Sequence, residues 1–241
     1  MKTAGIVGGL GPGSTPVYRR RLLEEFRRRR PGRGDAPIVV DSLDVPTLFA
    51  FLEAQDLAGL ARYFASSLER LARAGAAAGA VASNTPHVVF DEIRRLSPIP
   101  LVSIVEAARD AALARGFARL GLFGTRFTME GRFYPDVFAP SSLTLVLPPP
   151  EERGVVHAVY VHELLENVFR EESKERLLAI AHGMRERDGI EALILGGTEL
   201  PLLLADASYG GLPVLDTARI HVEALADLLW PRGSAAPGAG G

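Results

Sequence analysis

No cysteine occurs among the 241 residues, which excludes disulfides, thiolate metal sites and any cysteine nucleophile. Lysine is nearly absent: Lys2 and Lys174 are the only two, so arginine supplies almost all of the 27 basic residues. Gln55 is the single glutamine, and Asn84 and Asn167 are the only asparagines, a scarcity that thermophily and a GC-rich genome both produce. The formal net charge is only −2, so no overall field draws the chain to nucleic acid or to an anionic membrane. No apolar run reaches the roughly 18 residues of a membrane span. The opening MKTAGIVGGLGPGST carries one lysine and a short apolar run broken by glycine, without a small-x-small cleavage site. It reads as a first β-strand, not a signal peptide, and a cytoplasmic location is expected.

What is present is an ordinary globular balance of 47% apolar and 23% charged residues, in a chain long enough to bury a sizeable core. Short β-branched runs alternate with amphipathic stretches. The pattern predicts strands at 3–9, 37–42, 79–82, 100–104, 119–124, 143–147, 192–195 and 213–215. Helices are predicted at 16–30, 57–73, 88–96, 105–115, within TRFTMEGRFY, and at 155–170, 172–187 and 217–230. For the first helix, Ser14 or Thr15 is the expected N-cap and Pro16 the first helical residue. Strands alternating with helices imply an α/β fold with parallel sheets and right-handed crossovers.

The chain also repeats itself. GIVGG at Gly5–Gly9 returns as GLFGT at Gly121–Thr125, and GAVASNT ending at Thr85 returns as ALILGGT ending at Thr198. Two similar parallel-sheet α/β domains related by a pseudo-two-fold axis are therefore expected, with a cleft between them lined by four strand-end loops. The first comprises residues 1–103 plus 213–230 and the second 104–212, with 231–241 a disordered tail. Ligands of open α/β sheets bind at the carboxyl ends of strands, which places the candidate site at SNTPH and GGTELP. The Gly-rich turn before the first helix suits an anion. The dinucleotide fingerprint fails there, because Ser14 stands where the third glycine belongs. Arg19–Arg21 and Arg27–Arg30 make a basic helix, read as a solvated face whose last turn complements the helix dipole.

Five motifs in order, MKTAGIVGGLGPGST, SNTPH, GTRFTM, GGTELP and VLDTARIH, identify the chain as resembling the PLP-independent aspartate/glutamate racemase family over nearly its whole length. The resemblance implies two facing α/β domains, a homodimer, no cofactor, and interconversion of amino-acid enantiomers by two cysteines acting as paired acid and base. The positions of those cysteines are Ser83 and Gly197 here, so a two-thiol mechanism is impossible for this sequence. A serine hydroxyl is active only with an adjacent base, and Gly197 has no side chain. The resemblance implies a carboxylate cradle formed by the backbone of Gly8, Gly9 and Gly11 and by Asn84, Thr85, Thr125, Thr128 and Thr198.

Two side chains are candidates to supply the missing chemistry. His87 is placed to orient or deprotonate Ser83; the alternative is a structural hydrogen bond. Glu199 is a candidate base on the second face; the alternative is a helix-start acid favoured by the dipole. Where family members carry basic residues for a distal carboxylate, this chain reads DVPTLF and VYVHELL, with only His162 as a partial substitute. His157, His162, His182 and His221 lack the spacing of metal ligands, so no metal is expected. The expected function is an amino-acid racemase-like, cofactor-independent proton transfer at the α-carbon with altered acid/base groups. The alternative is an inactive binder of an amino acid or small carboxylate. Arylmalonate decarboxylase and maleate isomerase resemble the family, but both use at least one cysteine.

Overall fold

The computed structural model describes residues 1–11 and 13–232. In chain order its regular elements are β1 (Thr3–Gly8), α1 (Ser14–Arg29), β2 (Ile38–Ser42), α2 (Val45–Glu53), α3 (Leu57–Arg73), β3 (Ala76–Val81), α4 (Phe90–Leu96), β4 (Leu101–Val102), α5 (Ile104–Ala114), β5 (Arg119–Gly124), α6 (Arg126–Glu130), α7 (Phe133–Phe138), β6 (Thr144–Val146), α8 (Pro150–His162), α9 (Glu171–Asp188), β7 (Ala192–Gly196), α10 (Leu200–Leu203), β8 (Ser208–Tyr209), β9 (Leu212–Asp216) and α11 (Thr217–Leu229). Most of the tail predicted over 231–241 lies outside the described residues. No helix among those described is long and apolar enough to cross a membrane.

Two sheets result, in the orders β2-β1-β3-β4 and β6-β5-β7-β9-β8. All pairings are parallel except the β8–β9 edge. The first four strands of each sheet share one topology, and the corresponding central strands begin 116 residues apart in both cases. The sequence repeat is therefore a structural one. The central strands are buried on both faces, as continuous runs such as Ala192–Gly196 require. On α3, Leu60, Phe64, Leu68 and Leu71 share one buried face at helical spacing.

The structure differs from the expectations in several places. Helix α1 begins at Ser14, because the Ser14 and Thr15 hydroxyls turn back onto the glycine loop instead of capping: Ser14 Oγ donates to the Gly11 carbonyl (3.1 Å) and Thr15 Oγ1 accepts from Gly9 N–H (3.0 Å). A helix not among those predicted, α2, begins in DVPTLF, where Asp44 caps Thr47 N–H and Pro46 is tolerated in the first turn. Helix α8 starts at Pro150, because proline suits a first helical turn, and ends at His162. The strand over 213–215, grouped from sequence with the first half, lies in β9 and pairs with β7 in the second sheet.

Helix α11 then returns to the first half. Its Ala218, Val222, Leu225 and Leu229 enter the core of the first sheet beside Tyr18 and Phe26, while Ile220 packs with α5 and the second sheet. Polar groups pin this seam. Arg21 pairs with Asp216 at 2.6 Å. His221 is fully buried; its Nε2 faces the Val102 carbonyl at 2.9 Å, which can only accept, so Nδ1 must accept the Tyr18 hydroxyl at 2.8 Å. Burial pushes the His221 pKa down to about 4.

An unfolded histidine titrates near 6.5, so below that pH the unfolded chain binds a proton that folded His221 refuses. Stability is complete above about pH 6.5 and falls toward pH 4, by up to about 1.4 kcal/mol per pH unit from this residue. Urea unfolding at pH 7, 6 and 5 is expected to show falling midpoints, with a shallower fall in His221→Gln.

Candidate active site

The carboxyl ends of β1, β3 and β5 meet helix α8 around one cleft of about 450 Å³, within the usual range for a small-molecule site. Its lining includes Gly9, Gly11, Ser83 and Thr85 from the first half and Thr125 and Tyr160 from the second. Leu10, Val45, Phe49 and Leu165 give it apolar surface, and Glu166 is its one charged lining residue among those described. The registers that align these ends are Val7 with Val81 and Gly124 with Gly196. Ser83 is held by a tight turn in which its N–H donates to the Val81 carbonyl at 2.8 Å.

Gly197 follows β7, and the space beside it is filled. A Cβ on Gly197 would overlap the Tyr160 ring and would come within 2.8 Å of both Tyr160 Cζ and Oη. The phenol therefore stands in the space that a side chain at 197 would need. Tyr160 is 5% exposed, and its hydroxyl donates to Glu199 Oε2. Thr198 Oγ1 donates to the same oxygen at 2.8 Å. Glu199 is 1% exposed, and its Oε1 has no hydrogen-bond partner among the described residues. That oxygen abuts Gly11, where a Cβ would collide with it. Burial raises the Glu199 carboxyl above its ordinary range despite the two donated hydrogen bonds. Burial, and then the adjacent Glu199, push the Tyr160 phenol well above its own.

Several predicted binding residues have hydrogen-bonding groups already engaged inside the protein. Asn84 is 3% exposed; its Oδ1 accepts the Tyr134 hydroxyl at 2.7 Å and its Nδ2 donates to Thr217 Oγ1 at 3.4 Å. Thr217 in turn donates to the Leu195 carbonyl at 2.7 Å, so Asn84 ties the end of β3 to α7 and α11. Gly9 gives its N–H to Thr15 and has φ +76°, with Leu43 backbone where a Cβ would be. Gly8 is buried against Thr15. Thr128 is fully buried behind the N-cap Thr125, which accepts its N–H at 3.3 Å. Thr85 and Thr125, half-buried, do face the cleft.

His87 is buried and makes no hydrogen bond to the Ser83 hydroxyl among the described residues. Its Nε2 accepts Ile104 N–H at 3.2 Å at the start of α5, and its ring stacks on Phe90 at 4.4 Å. Burial first, and then His221, lower its pKa well below the ordinary value, so it is a neutral ring serving the α5 terminus. Among the described residues no side chain hydrogen-bonds Ser83 Oγ. His162 is exposed and outside the cleft lining. No three His, Asp or Glu side chains among the described residues form a group able to hold a metal. Tyr160 was legible only as an apolar-face residue of a helix; nothing in the linear order marks it as Gly197's neighbour.

A family model described as Asp/Glu/hydantoin racemase matches residues 7–225. A candidate Asp/Glu racemase from Yersinia pestis has a TM-score of 0.87 at 29% identity, covering 95% of this chain and 99% of that one. An aspartate racemase homologue from Pyrococcus horikoshii has a TM-score of 0.81 at 33% identity with the same coverage. A Thermus thermophilus glutamate racemase is 30% identical over 170 residues, 68% of this chain and 59% of that enzyme. The matched stretch spans between about a third and three fifths of the length of the curated glutamate racemases from Beutenbergia cavernae and Thermus thermophilus.

Because the space at Gly197 is occupied by a packed ring, Gly197→Ala is expected to destabilise the fold by about 1–3 kcal/mol through overpacking. Adding Tyr160→Ala is expected to recover part of that loss, a coupling that a double-mutant cycle by chemical denaturation reads directly.

Proposed function

This chain belongs to the Asp/Glu/hydantoin racemase family, and we propose that it binds an amino acid or small carboxylate in the cleft and moves the α-proton without a cofactor, using groups other than thiols. The observation that carries this reading is the convergence of Ser83 and Tyr160, one from each half, on a single cleft. The racemase names of its relatives support the same reaction class. Inverting a stereocentre by proton transfer takes an acid and a base on opposite faces of the carbon. Here the walls offer a serine hydroxyl with no hydrogen-bonded base among the described residues and a phenol hydrogen-bonded to the Glu199 carboxylate.

The lining also bears on the substrate. A distal carboxylate in this cleft would meet Leu10, Val45, Phe49 and Leu165 and one acidic residue, with no arginine or lysine among the described lining residues. A desolvated carboxylate without a partner costs more than about 1–3 kcal/mol. An apolar side chain costs nothing there and gains by burial. The substrate class this cleft favours is a neutral amino acid of moderate apolar side chain, its ammonium drawn toward Glu166. Capture without turnover, the binder reading, draws on the absence of a base hydrogen-bonded to Ser83.

In deuterated water, proton NMR over both enantiomers of alanine, valine, leucine, aspartate and glutamate is expected to show α-proton loss with the apolar members. Calorimetry is expected to show aspartate and glutamate binding at least about tenfold more weakly than leucine. Binding without any exchange would leave the protein as a capture module, and tighter binding of the dicarboxylates would overturn the substrate class.

A further inference from the structure

The two walls of the cleft are not equivalent. On the Ser83 side, no side chain among the described residues is hydrogen-bonded to the hydroxyl, and His87 is committed to Ile104 N–H. On the other side, Tyr160 lines the cleft; its Oη lies 2.8 Å from where a Cβ on Gly197 would stand and donates to a buried carboxylate. That carboxylate keeps Oε1 free of hydrogen bonds among the described residues, so its buried anion is under-stabilised and takes up a proton readily. We infer that Tyr160 is the catalytic acid/base of this cleft, with Glu199 as its positioning residue and proton store, and that the proton chemistry is one-sided.

In the step, the α-carbon–hydrogen bond breaks and its proton forms a new O–H bond on Tyr160 Oη. At the same time the original Tyr160 hydroxyl proton passes to Glu199 Oε2. The electron pair stays on the substrate, delocalised into its carboxylate, and the negative charge moves from Glu199 to the substrate. Reversal returns a proton from the same face, so deuterium enters with retention of configuration. A phenol kept neutral by burial suits this relay, because it never has to lose its proton to solvent before reacting. The raised carboxyl of Glu199 brings the terminal acceptor closer in strength to the group it serves. An equal base on the Ser83 wall would be needed for inversion at the same rate.

This inference rests on the proposed α-proton chemistry, and one experiment separates the two. Wild type, Tyr160→Phe and Glu199→Gln are compared in deuterated water with leucine, valine and alanine of each configuration. Exchange is followed by proton NMR, inversion by chiral chromatography and ligand binding by thermal shift. Wild type is expected to exchange one enantiomer at least tenfold faster than it inverts it. Tyr160→Phe keeps the ring beside Gly197 and is expected to bind normally while losing at least about 100-fold in exchange. In Glu199→Gln, exchange is expected to fall and its acid limb, placed above the ordinary carboxyl range in wild type, to vanish. If Tyr160→Phe does not fold, the Glu199→Gln pH profile decides alone. Exchange within threefold of wild type in Tyr160→Phe would overturn the relay and leave the proposed function standing, and inversion as fast as exchange would overturn its one-sidedness. Absence of exchange in wild type with every ligand would overturn both.

Discussion

The contact on which the site depends is the packing of the Tyr160 ring over Gly197. A glycine at the end of β7 leaves a hole in a wall that is otherwise closed by Thr198 and Glu199, and protein interiors do not tolerate such holes cheaply. The ring from α8 fills it, and in doing so delivers its hydroxyl to Glu199 Oε2. Once that bond exists, Thr198 can share the same oxygen, and Gly11 is needed so that the glycine loop clears Oε1. Three chain segments far apart in sequence are thereby fixed by the lack of one side chain.

Around this contact, residues that read as ligand-binding groups serve the frame. Asn84 spends both ends of its amide joining β3 to α7 and α11. Gly9 spends its N–H on Thr15, and His87 holds the α5 terminus. These engaged groups brace the strand ends from which Ser83, Thr85 and Thr125 line the cleft. A site built at strand ends needs rigid support, and buried polar networks that are satisfied supply it. The helix closing the chain does the same on a larger scale: α11 puts one face into each half and clamps them through Arg21–Asp216 and the Tyr18–His221 pair.

Electrostatically the cleft is an inversion of what an acidic substrate would want. Its lining carries Glu166 as the one charged residue among those described and is otherwise apolar or weakly polar, while the buried Glu199 lies behind Tyr160. The abundant arginines lie elsewhere, along α1 and the outer helices, paired with surface carboxylates. Charge count alone said nothing about this distribution, because a near-neutral total is compatible with any local field.

The linear order of residues carried the architecture. Apolar periodicity marked the strands and most helices, the repeat foretold two sheets of one topology, and the missing thiols ruled out a two-cysteine mechanism, all because these depend on local pattern or on composition. Where local signals were mixed, the pattern fell short: α2 was not predicted and α8 was placed five residues late, both helices carrying a proline in the first turn, and the run at 213–215 carries no mark of which sheet it joins. The site was legible to the level of its loops, since strand ends follow from strand positions. Which groups in those loops face the cleft was decided only by folding. Asn84 turns inward because Tyr134 arrives from the other half and Thr217 from the start of α11, and Tyr160 becomes the wall because a helix 37 residues upstream in the chain packs over Gly197. Those are long-range contacts, set by how two sheets dock, and no window of sequence contains both partners.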